Sequence, residues 1–212
     1  GVDPAALPAE IANGNNINTL NKFFDTSIAN YILKNYGEVD FITSHNALAH
    51  IDDLRNAFEN IFRILKPNGN FIFEVGYFRN VIEKGAFDTI YHEHLDYHHA
   101  LPLSNLLREI GFDIIKFSLN DIQGGSLRIH LGKSGKKEIT DDAKTFLIEE
   151  SKSILYKEDS LNKFCSIVKE STRELGYKIK KYASEGNLII GYGVPTKCTL
   201  LLSMSNLSNE EI

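Results

Sequence analysis

The chain has 212 residues, 42% of them hydrophobic and 24% charged, with a formal net charge of -5. That is the make-up of a chain that buries a core and not of a disordered one. With a pI of about 5.8 it lacks the basic footprint of a nucleic-acid binder. Cys165 and Cys198 are too few for a disulfide framework or a zinc site. As reduced thiols they fit a cytoplasmic setting, and no apolar run nears the roughly 20 residues of a membrane helix.

Gly1-Val-Asp-Pro4 reads as the end of a buried strand running into a turn. Leu207-Ser-Asn-Glu-Glu-Ile212 stops just after an apolar run, so both ends are expected to be cut from something longer. Asn-Gly-Asn-Asn at 13–16 is a turn cluster. Helical apolar spacing over Ser27 to Lys34 predicts a helix, and Val39-Asp-Phe-Ile-Thr43 a short strand. Asp52 to Leu65 opens on capping carboxylates and sets Leu54, Phe58, Ile61, Phe62 and Leu65 on one face. Lys66-Pro-Asn-Gly69 is expected to end that helix in a turn. Asn70 to Val75 is a near-continuous apolar strand, as in a sheet covered on both faces.

Strand, helix and strand alternate, which predicts an α/β domain with a mostly parallel sheet. Pro102 to Ile110 reads as a further helix closed by Gly111. Phe112 to Leu119 and Ser126 to Leu131 read as strands. Thr140 to about Lys181 reads as long, helical and charged. Asn187-Leu-Ile-Ile-Gly191 is expected to restart a buried strand, with a helix after Tyr-Gly-Val-Pro. The predicted organisation is therefore a first α/β domain over 1–135, a helical connection over 136–186, and the start of a second α/β unit at 187–212.

Open α/β sheets bind ligands beyond the carboxyl ends of their strands. An acid after the second strand suits the two hydroxyls of a ribose, and Asp3 is the candidate; its bland reading is a turn Asp before Pro4. The densest chemistry is Phe87-Asp-Thr-Ile-Tyr-His-Glu-His-Leu-Asp-Tyr-His-His99, with four histidines among acids and tyrosines. Three readings stand open there. His92, His94 and Glu93 could ligate a metal, although the spacing fits no standard zinc pattern. The stretch could be a solvated polar loop. Or it is an acid–base cluster, since an imidazole suits proton removal near neutrality.

Two resemblances bear on these alternatives. Val39 to Leu54, with Leu65-Lys-Pro-Asn-Gly-Asn-Phe-Ile-Phe-Glu74, resembles the fourth strand, loop, helix and fifth strand of class I S-adenosylmethionine (SAM)-dependent methyltransferases. That implies a Rossmann-like domain whose first strand and glycine-rich turn lie upstream of Gly1. It also implies SAM as cofactor, with Asp3 at the ribose, Phe24 (and Phe23) near the adenine, and His45, Asn46 and Ala47 at the methionine part; the plain reading of the two Phe residues is core.

Glu74-Val-Gly-Tyr77, Phe87 to His94, Gln123-Gly-Gly-Ser-Leu-Arg128 and Gly191-Tyr-Gly-Val-Pro-Thr-Lys197 together look like the sugar C-methyltransferases of deoxysugar biosynthesis, of the tetronitrose C-3 type. That likeness implies His94 as general base, with Tyr91 and Glu93 in the same catalytic cluster; the zinc-binding module that the family carries at its amino terminus has no cysteine ligands here, so no metal is expected in this chain. It implies a nucleotide-linked 4-keto sugar as substrate, held by Tyr77, Gln123, Gly124, Gly125, Ser126, Arg128, Tyr192 and Lys197. It also implies a second Rossmann-like domain beginning near 187. The family usually has His where Gln123 stands, and Gln cannot titrate. Arg128 is open to a phosphate or to a local carboxylate. The alternatives are a methyltransferase for another small molecule, or a fragment that binds a nucleotide sugar without turnover.

Overall fold

The computed structural model describes residues 1–193 and 195–212. Helix α1 (Ala6–Gly14) and helix α2 (Thr26–Tyr36) precede strand β1 (Val39–His45), helix α3 (Leu54–Ile64) and strand β2 (Leu65–Gly76). Helix α4 (Phe78–Lys84), helix α5 (Ala100–Ile110) and strands β3 (Asp113–Asn120) and β4 (Ser126–Gly132) follow. Helices α6 (Asp141–Ser151), α7 (Ser160–Ser184) and α8 (Thr196–Met204) complete the order.

Local chemistry explains the helix starts. Asp25 accepts the backbone N–H of Ile28 at 2.9 Å and opens α2; Asp53 accepts that of Asn56 at 3.0 Å and opens α3. Both are N-caps that satisfy an otherwise orphaned donor. Helix α3 buries Ala57, Phe58, Ile61 and Ile64. The Phe58 ring lies 5.5 Å from Phe73 and 6.4 Å from Phe71 on β2. Helix α5 adds Leu103 and Leu107 to the same core.

The sheet order is β1-β2-β4-β3. β1 and β2 are parallel, whereas β4 is antiparallel to both β2 and β3. Three strands thus share a direction, but only one adjacent pair is parallel, which corrects the expected mostly parallel sheet. The direct hairpin link between β3 and β4 forces the antiparallel pairing.

Double-sided cover is also corrected. Phe71, Phe73 and Val75 are buried on the helical face. On the opposite face Phe41, Thr43, Lys116 and Arg128 are exposed and Ile72 and His130 half-exposed. Lys66-Pro67-Asn68-Gly69 falls inside β2 as a bulge: Val39 pairs with Leu65 and Phe41 next pairs with Asn70. Asn68 takes a left-handed φ of 63° there, as Asn tolerates.

Other expectations shift. Gly1 to Pro4 contributes a single bridge, Val2 to Leu20. The long helix is broken in two, because the Ser153 hydroxyl caps the Leu155 N–H and Asp159 adopts a φ of 63°. Asn187 to Gly191 forms no strand; Leu188 is 87% and Ile190 78% exposed. No strand among the described residues lies beside it, so it has neither a hydrogen-bonding ladder nor cover. A small second core joins Ile82 of α4 to Phe164 and Val168 of α7, with Phe87 packed on it. That core braces the start of the histidine-rich loop. Among the described residues no helix is long and apolar enough to cross a membrane.

Candidate active site

β1 and β2 end side by side, with His45 paired to Glu74. Beyond their carboxyl ends lies a cavity of about 250 Å³. Four segments wall it: Asn46 to His50 after β1, Val75 to Val81 from the end of β2 into α4, Ala86 to His98, and the turn Gln123 to Gly125 before β4. Lys197 closes one side. This is where the topology of an open α/β sheet puts a ligand.

The histidine-rich loop is held from both ends. Leu95 N–H donates to Ala49 O at 2.8 Å, and Phe78 N–H to His98 O at 2.9 Å. The His50 Nδ1 sits 2.7 Å from the Glu93 carbonyl. His94 Nδ1 sits 2.7 Å from Thr89 O. A carbonyl only accepts, so Nδ1 carries the proton and the neutral ring presents its lone pair at Nε2. Nε2 makes one long contact, 3.4 Å, with the Tyr91 hydroxyl. The Tyr91 ring lies 4.5 Å and the His50 ring 5.0 Å from that of His94. Burial pushes the Tyr91 hydroxyl up, with the Glu93 charge adding to it. Tyr91, Glu93 and His94 therefore share one wall. Among the described residues no cluster of three or more His, Cys, Asp or Glu is arranged to hold a metal ion.

The Gln123 turn is strained open toward the site. Gln123 has a φ of 52° and Gly124 one of 87°. Gly125 has a φ of 126°, and a Cβ there would lie 1.9 Å from Asn80 Nδ2, so only glycine fits. The Tyr77 N–H donates to Gly125 O at 3.1 Å, which ties this turn to the end of β2. Lys84 Nζ donates to Gly124 O at 2.6 Å. Lys197 Nζ is 3.4 Å from Asp88 Oδ2. The motif Gly191 to Lys197 contains Val194, which lies outside the described residues.

Several expected residues stand elsewhere. Ser126 is buried and donates to Ile122 O. Arg128 is taken by Glu74, at 2.8 Å from Nη2 and 3.0 Å from Nε, so the local carboxylate is its partner. Tyr77 turns its ring to the cavity wall and its hydroxyl away, onto Glu150 Oε2 at 2.8 Å. Tyr192 is fully exposed and lies outside the cavity wall. On the cofactor side Asn46 lines the cavity, while His45 and Ala47 are exposed beside it. Asp3 Oδ1 accepts the Ala5 N–H at 2.8 Å, the turn role, and its Oδ2 takes no hydrogen bond among the described residues. Phe24 packs on the main core, while Phe23 is exposed.

Sequence reasoning missed His50, Tyr97 and Glu150. His50 was legible only as a histidine soon after a strand end. Glu150 sits among charged helical residues and is 1% exposed, a burial no local pattern betrays.

A family model described as "Methyltransferase domain" matches residues 1–116. The chain belongs to that methyltransferase family. A second model, "C-methyltransferase C-terminal domain", matches residues 121–212. The chain is 26% identical over 213 aligned residues to C-methyltransferase NovU of Streptomyces niveus, covering 100% of this chain and 51% of that protein. It thus spans about half the length of this curated relative. Among solved structures, a SAM-dependent methyltransferase of Thermotoga maritima, titled a possible histamine N-methyltransferase, is 19% identical with a TM-score of 0.46, covering 63% of this chain and 72% of that one. The N-methyltransferase NodS of Bradyrhizobium japonicum WM9, in complex with S-adenosyl-L-homocysteine, is 14% identical with a TM-score of 0.43, covering 62% and 64%. The fold is the Rossmann-like fold of class I methyltransferases, and SAM is the cofactor.

The residues present fit that cofactor in part. Asn46 offers its carboxamide at the carboxyl end of β1, and the second oxygen of Asp3 is unengaged among the described residues. Of the remaining expected contacts, His45 and Ala47 are chain neighbours of Asn46 and Phe24 packs on the main core.

Proposed function

We propose that this chain carries the catalytic residues of a SAM-dependent C-methyltransferase acting on a nucleotide-linked 4-keto deoxysugar. The observation that carries the reading is His94: its Nδ1 sits 2.7 Å from Thr89 O, which sets the tautomer with the lone pair at Nε2, and the residue lines the cavity at the strand ends. A ketone acidifies the proton on the neighbouring carbon. His94 Nε2 removes that proton, and the freed electron pair delocalises onto the ketone oxygen as an enolate. Tyr91 and Glu93 keep the ring oriented. Bound SAM supplies an electrophilic methyl group to the site. Asn46, with Asp3, Phe24, His45 and Ala47, holds it, while Gln123, Gly124, Gly125, Tyr192 and Lys197 serve the sugar nucleotide, the Tyr77 ring and Ser126 shape its site, and Arg128 acts only by holding Glu74. On this reading residues 1–135 form the methyltransferase unit, 136–186 connect it, and 187–212 open the sugar-nucleotide unit. Methylation of another small molecule is the second reading, favoured by Gln123 where the sugar enzymes usually carry His.

The test is methyl transfer by the intact protein and its His94→Asn variant. The expected loss is on the order of 100- to 10,000-fold. A His94→Asn enzyme with full turnover ends the assignment.

A further inference from the structure

The base accounts for one end of an enolate and leaves the other unaccounted for. Proton removal puts negative charge on an oxygen roughly 2.4 Å from the carbon that loses its proton. A site that stabilises this charge needs a hydrogen-bond donor aimed beside the base, in a place that excludes water.

Tyr91 is poorly placed for that task, because its hydroxyl is turned to His94 Nε2 at 3.4 Å. Tyr97 is better placed. It lines the same cavity, and its ring stands edge-on to His94 with centroids 6.3 Å apart and planes at 84°. The ring is packed on Phe78 at 5.7 Å, and the next residue, His98, is bridged to Tyr77 at the end of β2. Both restraints fix where the phenol points. Among the described residues the hydroxyl donates no hydrogen bond to the protein, so its proton is available to a ligand in the cavity. Burial pushes the hydroxyl up from its ordinary value, which keeps it protonated and a donor at neutral pH.

We infer that Tyr97 is a further catalytic residue, its hydroxyl donating a hydrogen bond to the ketone oxygen as His94 takes the proton from the adjacent carbon. The inference rests on the proposed reading of the site. In the step the C–H bond breaks and an Nε2–H bond forms on His94. The C–H electron pair becomes the new C=C bond, and the carbonyl π pair settles on oxygen. Tyr97 keeps its proton throughout.

The experiment uses the intact protein in D2O with a nucleoside-diphosphate 4-keto-6-deoxyhexose and S-adenosylhomocysteine, so that deuterium wash-in at the carbon beside the ketone reports enolate formation without methyl transfer. Calorimetry measures binding of the same sugar. Tyr97→Phe preserves the ring and its packing on Phe78. It is expected to slow wash-in on the order of 100- to 1000-fold, with sugar affinity within about threefold. Wild-type wash-in by Tyr97→Phe, while His94→Asn has none, refutes the Tyr97 role and leaves the base intact. Slow wash-in by Tyr91→Phe alone likewise removes the role from Tyr97. Wild-type wash-in by His94→Asn instead sinks the reading of the whole site and Tyr97 with it.

Discussion

Glu150 offers the sharpest test of how the site is held. Its carboxylate, 1% exposed, accepts the Ala100 and Leu101 N–H groups at 2.7 Å each and the Tyr77 hydroxyl at 2.8 Å. It is a remote cap on the N-terminus of α5, which lacks a side-chain cap of its own, and it anchors the tyrosine at the end of β2. Burial first, and the Glu150 charge second, push the Tyr77 hydroxyl well above its ordinary range, so it remains a donor. Glu150→Gln keeps the shape. Its one carbonyl oxygen can take the place of Oε2 and keep Tyr77 and Ala100. The amide NH2 then faces the Leu101 N–H, and that donor is left unsatisfied at about 1–3 kcal/mol. Losing a carboxylate at a helix N-terminus costs about 1 kcal/mol more, and relief of the buried charge returns part of this. The expected net is about 2–3 kcal/mol, or roughly 4–12 °C in Tm for a chain of this size. Urea and thermal unfolding followed by circular dichroism measure it. A Glu150→Gln protein within about 0.5 kcal/mol of wild type would refute the cap as a source of stability.

Gly125→Ala should be costly twice over, through a φ of 126° and a Cβ placed 1.9 Å from Asn80 Nδ2; a loss of about 2 kcal/mol or more is expected in unfolding, and an unchanged Tm would count against the tight turn. Arg128→Met strips a partner from the buried Glu74, which among the described residues keeps only the Asn120 amide as a side-chain partner. With Arg128 half-exposed the cost is about 2 kcal/mol, and sugar affinity should stay within about threefold; a large affinity loss at constant Tm would return Arg128 to the substrate. Burial holds the imidazoles of His98 and His99 below their ordinary value. The unfolded chain therefore binds protons first, so this stability is full above about pH 6.5 and is lost as pH falls below it, at up to about 1.4 kcal/mol per pH unit for each histidine. Unfolding titrations from pH 7.5 to 5 should show the slope, and His98→Phe should reduce it; a flat profile contradicts it.

What the sequence disclosed followed local rules. Caps at Asp25 and Asp53, the amphipathic stripe of α3 and the apolar run of β2 are written within a few residues of where they act, and so the elements from 26 to 76 were legible, apart from the expected turn at Lys66 to Gly69 that lies inside β2. The clustering of Tyr91, Glu93 and His94 was legible for the same reason: one short loop carries all three. What was hidden depends on pairing between distant segments. Antiparallel insertion of β4 between β2 and β3 cannot be read from strand composition. An apolar segment such as Asn187 to Gly191 states a preference for a strand but not whether a neighbour lies beside it.

The same distinction explains why Arg128 and Tyr77 read as ligand contacts. From sequence, an arginine and a tyrosine near a glycine turn carry unspent donors. In the folded chain each meets a buried carboxylate: Glu74 lies in register with Arg128 across β2 and β4, and Glu150 arrives from α6. Buried carboxylates take up such donors because an unpaired one is far costlier than a polar group left in water. The polar groups that remain available around the cavity are then the informative ones. His94 offers the lone pair of Nε2 because Nδ1 is committed to Thr89, and Tyr97 offers its hydroxyl from the same cavity wall. In this site function sits in the polar groups that folding leaves half-satisfied.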